Sequence, residues 1–115
     1  NLVENGAIVN AADELKWTPL HFAASNGFKD IVQFLIDTSA DIDAIDVNKQ
    51  TPLHKAVQKD HVKVVQMLIH NSANINADDD NYRTPLHFAV YNGHTKVVEC
   101  LLENGANVDA YDKAL

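Results

Sequence analysis

Six histidines, sixteen acidic residues and one cysteine are the groups in this chain that could carry chemistry. A metal centre needs several of them within bond lengths of about 2 Å and is usually announced by a His-x-x-x-His or Cys-x-x-Cys pair. Neither pair occurs. His21, His54 and His87 recur at 33-residue intervals, as do His61 and His94. If each marks the same place in a stacked unit, like histidines lie about 10 Å apart, the spacing of packed helices, too far to share an ion. The run Asp78-Asp79-Asp80 invites a calcium loop or a carboxylate pair. Its surroundings, Asn-Ala-Asp-Asp-Asp-Asn, lack the glycine and closing glutamate that a calcium loop requires. Cys100 falls in register with Phe34 and Met67, which makes it a packing residue rather than a nucleophile. No phosphate loop, nucleophile elbow or dinucleotide fingerprint is present, so no catalytic, cofactor or metal site is expected.

The elements that hold these residues are repeated. Thr-Pro-Leu-His occurs at Thr18–His21, Thr51–His54 and Thr84–His87, and Ile31-Val32, Val64-Val65 and Val97-Val98 follow in the same register. Leu2, Leu35, Leu68 and Leu101 also coincide. A fixed period over the whole chain is the signature of a stacked repeat protein, which offers no single pocket for convergent chemistry. Cut before an aspartate, full copies run 13–45, 46–78 and 79–111. Residues 1–12 match the end of an earlier copy and 112–115 the start of another.

Within each copy the threonine suits a helix N-cap, and the proline after it supplies a preset φ at the first helical position. Leu20, Ala23 and Ala24, with Leu53, Ala56 and Val57 and then Leu86, Ala89 and Val90, give a first helix of about two turns. Gly27 and Gly93 suit a left-handed stop, and Asp60 takes that place in the middle copy at a conformational cost. The second helix carries Ile31, Val32, Leu35 and Ile36 and their counterparts as an apolar stripe. An alternating segment such as Ala40-Asp41-Ile42-Asp43-Ala44 then reads as an extended arm leading to the next aspartate.

The chain has 115 residues, 46% apolar, enough for a core, and a formal net charge of −7. That charge argues against nucleic acid and anionic membrane surfaces as partners, both of which need a basic patch. A protein or peptide partner, basic in character, fits better. A lone cysteine cannot form an internal disulfide, so a reduced, intracellular setting is the default. No apolar run approaches the roughly 18 residues of a membrane span, and no signal peptide is seen in a chain that itself looks like an excerpt from a longer one.

Thr-Pro-Leu-His, Gly93-His94, the Val-Val pairs, the Leu-Leu pair and Gly-Ala-Asn-Val-Asp-Ala at Gly105–Ala110 together resemble the ankyrin repeat family over the whole chain. The resemblance implies an all-α solenoid of stacked antiparallel helix pairs with short β-hairpin fingers, in which the histidine of the tetrapeptide ties threonine and backbone together. Where the family usually carries glycine two residues before the threonine, this chain has Lys16, Lys49 and Tyr82. A positive φ there would cost these residues about 1 kcal/mol each. Ser39 and Ser72 likewise replace a terminal glycine. Asn10 and Asn76 sit where many ankyrin repeats are hydroxylated, and Leu68 lies eight residues before Asn76, as in the usual substrate pattern.

Positions where the copies disagree are the candidates for contact. They are Glu14, Leu15 and Trp17 on the first finger, Val47, Asn48 and Gln50 on the second, and Asp80, Asn81 and Arg83 on the third. Ser25 and Asn26, Gln58 and Lys59, and Tyr91 and Asn92 vary at the ends of the first helices, as do Ala12, Ile45, Asp78 and Tyr111 at the junctions. By resemblance these line a concave partner-binding face and point outward. Leu15, Trp17, Ile45, Val47, Gln50, Gln58, Lys59, Asp80, Arg83, Tyr91, Asn92 and Tyr111 form the expected surface, with Trp17, Tyr91, Arg83 and Tyr111 of the types enriched at hot spots. The leading reading is a non-catalytic interaction module. Its alternatives are a structural spacer in a longer ankyrin array, or the targeting module of an enzyme whose catalytic domain lies elsewhere. Stacking also leaves the terminal copies without polar caps, so frayed ends or end-to-end self-association are expected. Trp17→Ala and Tyr91→Ala should abolish partner binding while leaving the melting curve nearly unchanged.

Overall fold

The computed structural model describes residues 9–109. Six helices lie within that span: α1 (Pro19–Asn26), α2 (Lys29–Asp37), α3 (Pro52–Gln58), α4 (Val62–His70), α5 (Pro85–Tyr91) and α6 (Thr95–Glu103). The inner helices α1, α3 and α5 pack in one row and the outer helices α2, α4 and α6 in a second, each inner helix also lying on its own outer partner. The architecture is an all-α solenoid of stacked helix pairs.

Each inner helix starts in the same way. The Thr18 hydroxyl accepts the His21 N–H at 3.3 Å, while the Thr18 N–H donates to His21 Nδ1 at 3.0 Å, closing a capping box that satisfies two orphan donors. Thr51 and His54 repeat it with the same distances, and the Thr84 N–H donates to His87 Nδ1 at 2.9 Å. Because Nδ1 accepts, the ring proton resides on Nε2, which therefore donates outward. For His21 the acceptor is the Gln50 carbonyl and for His54 the Arg83 carbonyl, each at 2.9 Å in the following unit. One imidazole thus caps its own helix and fastens the next finger.

The inner helices end where the sequence places left-handed residues, at Gly27 (φ 71°), Asp60 (φ 60°) and Gly93 (φ 69°). At Gly27 the hydrogen in place of a side chain is also a packing requirement, since a Cβ there would lie 2.6 Å from His61 Nδ1. His61 and His94 open the outer helices and reach back, Nε2 to the Ser25 carbonyl at 3.0 Å and to the Gln58 carbonyl at 3.3 Å. The core then assembles from the repeated apolar stripes. Leu20, Leu53, Val32, Val57, Val64, Val65, Leu68, Val97 and Leu101 are all buried to 1% exposure or less. At about 25 cal/mol per Å² of apolar surface, this shared burial is the main stabilising term.

Beyond each outer helix the arms are joined by a side-chain ladder. Asn10 Oδ1 accepts the Asp41 N–H at 2.8 Å, Asp43 Oδ1 the Asn74 N–H at 2.9 Å, and Asn76 Oδ1 the Asn107 N–H at 2.7 Å. The fingers that follow carry turns, and no strand is found among the described residues. Each finger is closed by the repeated aspartate. Asp46 Oδ1 accepts the Asn48 and Gln50 N–H groups at 2.9 Å each while the Asp46 N–H donates to the Gln50 carbonyl at 3.0 Å, and Asp13 and Asp79 close their own fingers in the same way. Single backbone bonds still stitch neighbouring tips, Val47 N–H to the Leu15 carbonyl at 3.0 Å and Asp80 N–H to the Asn48 carbonyl at 2.9 Å.

Lys16, Lys49 and Tyr82 adopt φ 62°, and Ser39 and Ser72 adopt φ 71°, the left-handed region that costs a side chain roughly 1–2 kcal/mol. Lys49→Gly should therefore raise stability, with part of the gain offset by the greater freedom of glycine in the unfolded chain. The expected net is about 0.5–1 kcal/mol, read as an increased urea midpoint, and Tyr82→Gly should add to it. A second expectation concerns pH. Burial lowers the pKa of His21 and His54, only partly offset by the carbonyls of Gln50 and Arg83 and the nearby carboxylates. The folded state prefers both rings neutral, so their contribution is complete above the unfolded value of about 6.5 and is lost as pH falls below it. Urea midpoints measured from pH 8 to pH 5 should stay flat and then decline below about 6.5.

Candidate functional site

The finger side of the stack is organised around one buried cation. Lys55 stands on α3 where α1 has Phe22 and α5 has Phe88, and its ammonium is taken out of solvent with its stem. A buried cation persists only when paired and hydrogen-bonded. Asp46 Oδ2 lies 2.9 Å from Lys55 Nζ, Gln50 Oε1 accepts from it at 2.7 Å, and the Trp17 ring centroid lies 4.4 Å away, a cation–π distance.

Gln50 carries the network onward. Its Oε1 also accepts from Gln58 Nε2 at 3.0 Å, and its Nε2 donates to Asp79 Oδ2 at 3.1 Å. Asp79 Oδ2 then receives Arg83 Nε at 3.0 Å, and the Arg83 guanidinium lies 4.8 Å from the Phe88 ring centroid. Two carboxylates and two cations, one pair in each of two consecutive units, are linked with no excess charge, and the Trp17 ring joins them from the unit before. Burial pushes both carboxyls up, but Lys55 and the Gln50 and Asn48 amides outweigh it at Asp46. The Arg83, Gln50 and Asn81 donors do so at Asp79, leaving both acids below the usual range.

This network corrects one expectation. Gln50 does not face outward: it is 6% exposed, because the ammonium of Lys55 needs an oxygen and the Gln50 side chain turns in to supply it. Trp17 is half-buried, with its ring 4.9 Å from that of Phe22 as well as over Lys55, so Trp17→Ala would cost packing and would not leave the melting curve untouched. Arg83 and Gln58 are half-buried. Leu15, Ile45, Val47, Lys59, Asp80 and Asn92 are exposed, and Tyr91 is 88% exposed. Leu15 and Val47 are brought onto adjoining fingertips by the bond between their backbones. Tyr111 lies outside the described residues.

Sequence comparison of the copies overlooked Lys55 and its neighbours Phe22 and Phe88. The signal was present, since Phe, Lys and Phe disagree at one inner-helix position as plainly as the fingertips do. Among the described residues no group of three His, Cys, Asp or Glu side chains could hold a metal ion, and no helix is long and apolar enough to cross a membrane. A shallow groove of about 880 Å³ on the opposite side, between α4 and α6, mixes Lys63, Lys96, Glu99 and Glu103 around Cys100, without convergent chemistry. Burial, then Glu103, raises the pKa of that thiol, which keeps it protonated and poorly nucleophilic.

The geometry is that of repeated units carrying different side chains on a common frame, and comparison with known proteins agrees. A family model described as "Ankyrin repeats (3 copies)" matches residues 1–79 and 46–112. Among curated proteins the chain is similar to protein phosphatase 1 regulatory subunit 27 of Homo sapiens and of Mus musculus, 51% identical over 35 residues in each case. That stretch is 30% of this chain and 23% of each relative, so the chain spans about a quarter of their length. With matches that run from residue 1 to residue 112 and a fold of stacked helix pairs, the chain belongs to the ankyrin repeat family.

Proposed function

We propose that this chain is a non-catalytic module that binds a protein or peptide across its fingers and inner-helix ends. Ankyrin repeats generally mediate protein–protein interaction. The observation that carries the reading here is the separation of roles among the disagreeing positions. Gln50 and, in part, Trp17 and Arg83 are spent on fixing the frame, while Leu15, Ile45, Val47, Asp80, Tyr91 and Asn92 remain exposed on it. A surface held by one buried ion pair and one half-buried pair loses little side-chain freedom when a partner docks.

The partner's chemistry follows from what is left exposed. Leu15, Val47 and Ile45 offer apolar contact, bordered by Glu14 and Asp80 on a chain of net charge −7. A segment carrying bulky apolar side chains flanked by Lys or Arg complements that pattern. The likeness to a phosphatase regulatory subunit covers about the length of a single repeat, so it supports a regulatory, non-catalytic role and names no partner.

A random-peptide display library selected on the folded chain tests the reading. Enriched peptides should combine Lys or Arg with large apolar residues and should bind more weakly as salt is raised. Tyr91→Ala and Val47→Asp should each weaken the best peptide about tenfold or more, the loss of a contact worth at least 1.4 kcal/mol, with unchanged melting. No enrichment, or equal binding by both variants, would contradict the reading and favour a spacer within a longer array.

A further inference from the structure

Two grooves that run between neighbouring outer helices differ in size. The one between α2 and α4 has a volume of about 360 Å³ and the one between α4 and α6 about 880 Å³. The cause lies in the repeat register. Met67 lines the smaller groove, and its counterpart in the larger is Cys100, a shorter side chain that leaves open the space methionine fills. Both walls of the larger groove belong to described helices, so its shape is set within the stack.

The same wall differs in charge. Where α4 turns Gln66 and His70 to the smaller groove, α6 turns Glu99 and Glu103 to the larger. Lys63 and Lys96 stand in the first turns of α4 and α6, and Val62 and Ile69 supply apolar surface beside Cys100. Lys63, Lys96, Glu99 and Glu103 are all exposed, and among the described residues no ion pair holds any of them. Three disagreements between copies, at Cys100, Glu99 and Glu103, thus converge on one surface, the same signal that marks the fingertips. Lys96 and Glu103 are about two helical turns apart, roughly 10 Å along the axis.

We propose that the groove between α4 and α6 is a second docking surface, for a segment of another protein that carries an acidic residue, then a large apolar side chain, then Lys or Arg, within a span of about 10 Å. The acid pairs with Lys63 and Lys96 at the start of the groove. The apolar side chain fills the space over Cys100 and Ile69, and the cation sits between Glu99 and Glu103. Those two carboxylates would repel the phosphates of a nucleic acid or an anionic membrane, which leaves a peptide of mixed charge as the occupant. The groove lies on the opposite side from the fingers, so the proposal does not rest on the reading of the finger surface.

A random-peptide display library selected on the chain carrying Val47→Asp and Tyr91→Ala, which removes finger contacts, tests it. Enriched peptides should show the order acid, large apolar, Lys or Arg, and should bind the unaltered chain equally well. Cys100→Met, which gives this groove the residue that fills its neighbour, should weaken the best peptide about tenfold or more while helical circular dichroism and melting are retained. Glu103→Lys changes an exposed side chain and should weaken the same peptide, and a peptide whose cation is replaced by Glu should recover part of the binding to that variant. Failure to enrich any peptide would overturn the proposal. So would enriched peptides that bind Cys100→Met and Glu103→Lys as tightly as they bind the parent. Neither result depends on Val47 or Tyr91, so failure at the groove and failure at the fingers are told apart.

Discussion

A two-helix unit of this size cannot hide its own apolar side, and every other feature of the molecule follows from the need to borrow cover from a neighbour. The burial pattern shows the dependence directly. In α3, which has inner helices on both sides, every residue from Pro52 to Val57 is buried. In α1 and α5, each flanked by one described inner helix, Phe22, Val90 and Tyr91 are exposed. Residue type does not account for this, since Ile31 is half exposed and its counterparts Val64 and Val97 are buried. Position in the stack does.

Polar groups reinforce the same dependence. His21 and His54 each bond a carbonyl of the following finger, and His61 and His94, after the inter-helix turn, each bond one of the preceding inner helix. Asn10, Asp43 and Asn76 do the same for the arms. These bonds are individually modest, about 1 kcal/mol net, but leaving their buried partners unmade would cost more. They fix register between units, which apolar contact alone does not. The Lys55, Asp46, Gln50, Asp79 and Arg83 network adds a link that the other units lack, and it holds the middle of the finger side rigid.

Much of this was legible in the sequence because the period is strict. Three copies of Thr-Pro-Leu-His gave the helix starts, and the residues in the places of absent glycines, Lys16, Lys49, Tyr82, Asp60, Ser39 and Ser72, all adopt positive φ. The core leucines and valines fell out of the same register. What could not be read was the consequence of one unlike residue in the frame. Gln50 looks like a surface side chain until Lys55, five residues on, is known to be buried and short of acceptors. Nor does an apolar stripe announce which of its copies has a neighbour to cover it, because that depends on place in the stack rather than on composition.

Native-state hydrogen exchange at low protein concentration measures the borrowed cover most directly. Amides of α3 and α4, flanked on both sides, should exchange slowest, and those of α1 and α2 and of α5 and α6 should open at lower free energy, in order of their neighbours. Protection that is uniform across all six helices would mean one cooperative core rather than stacked units, and would contradict the account.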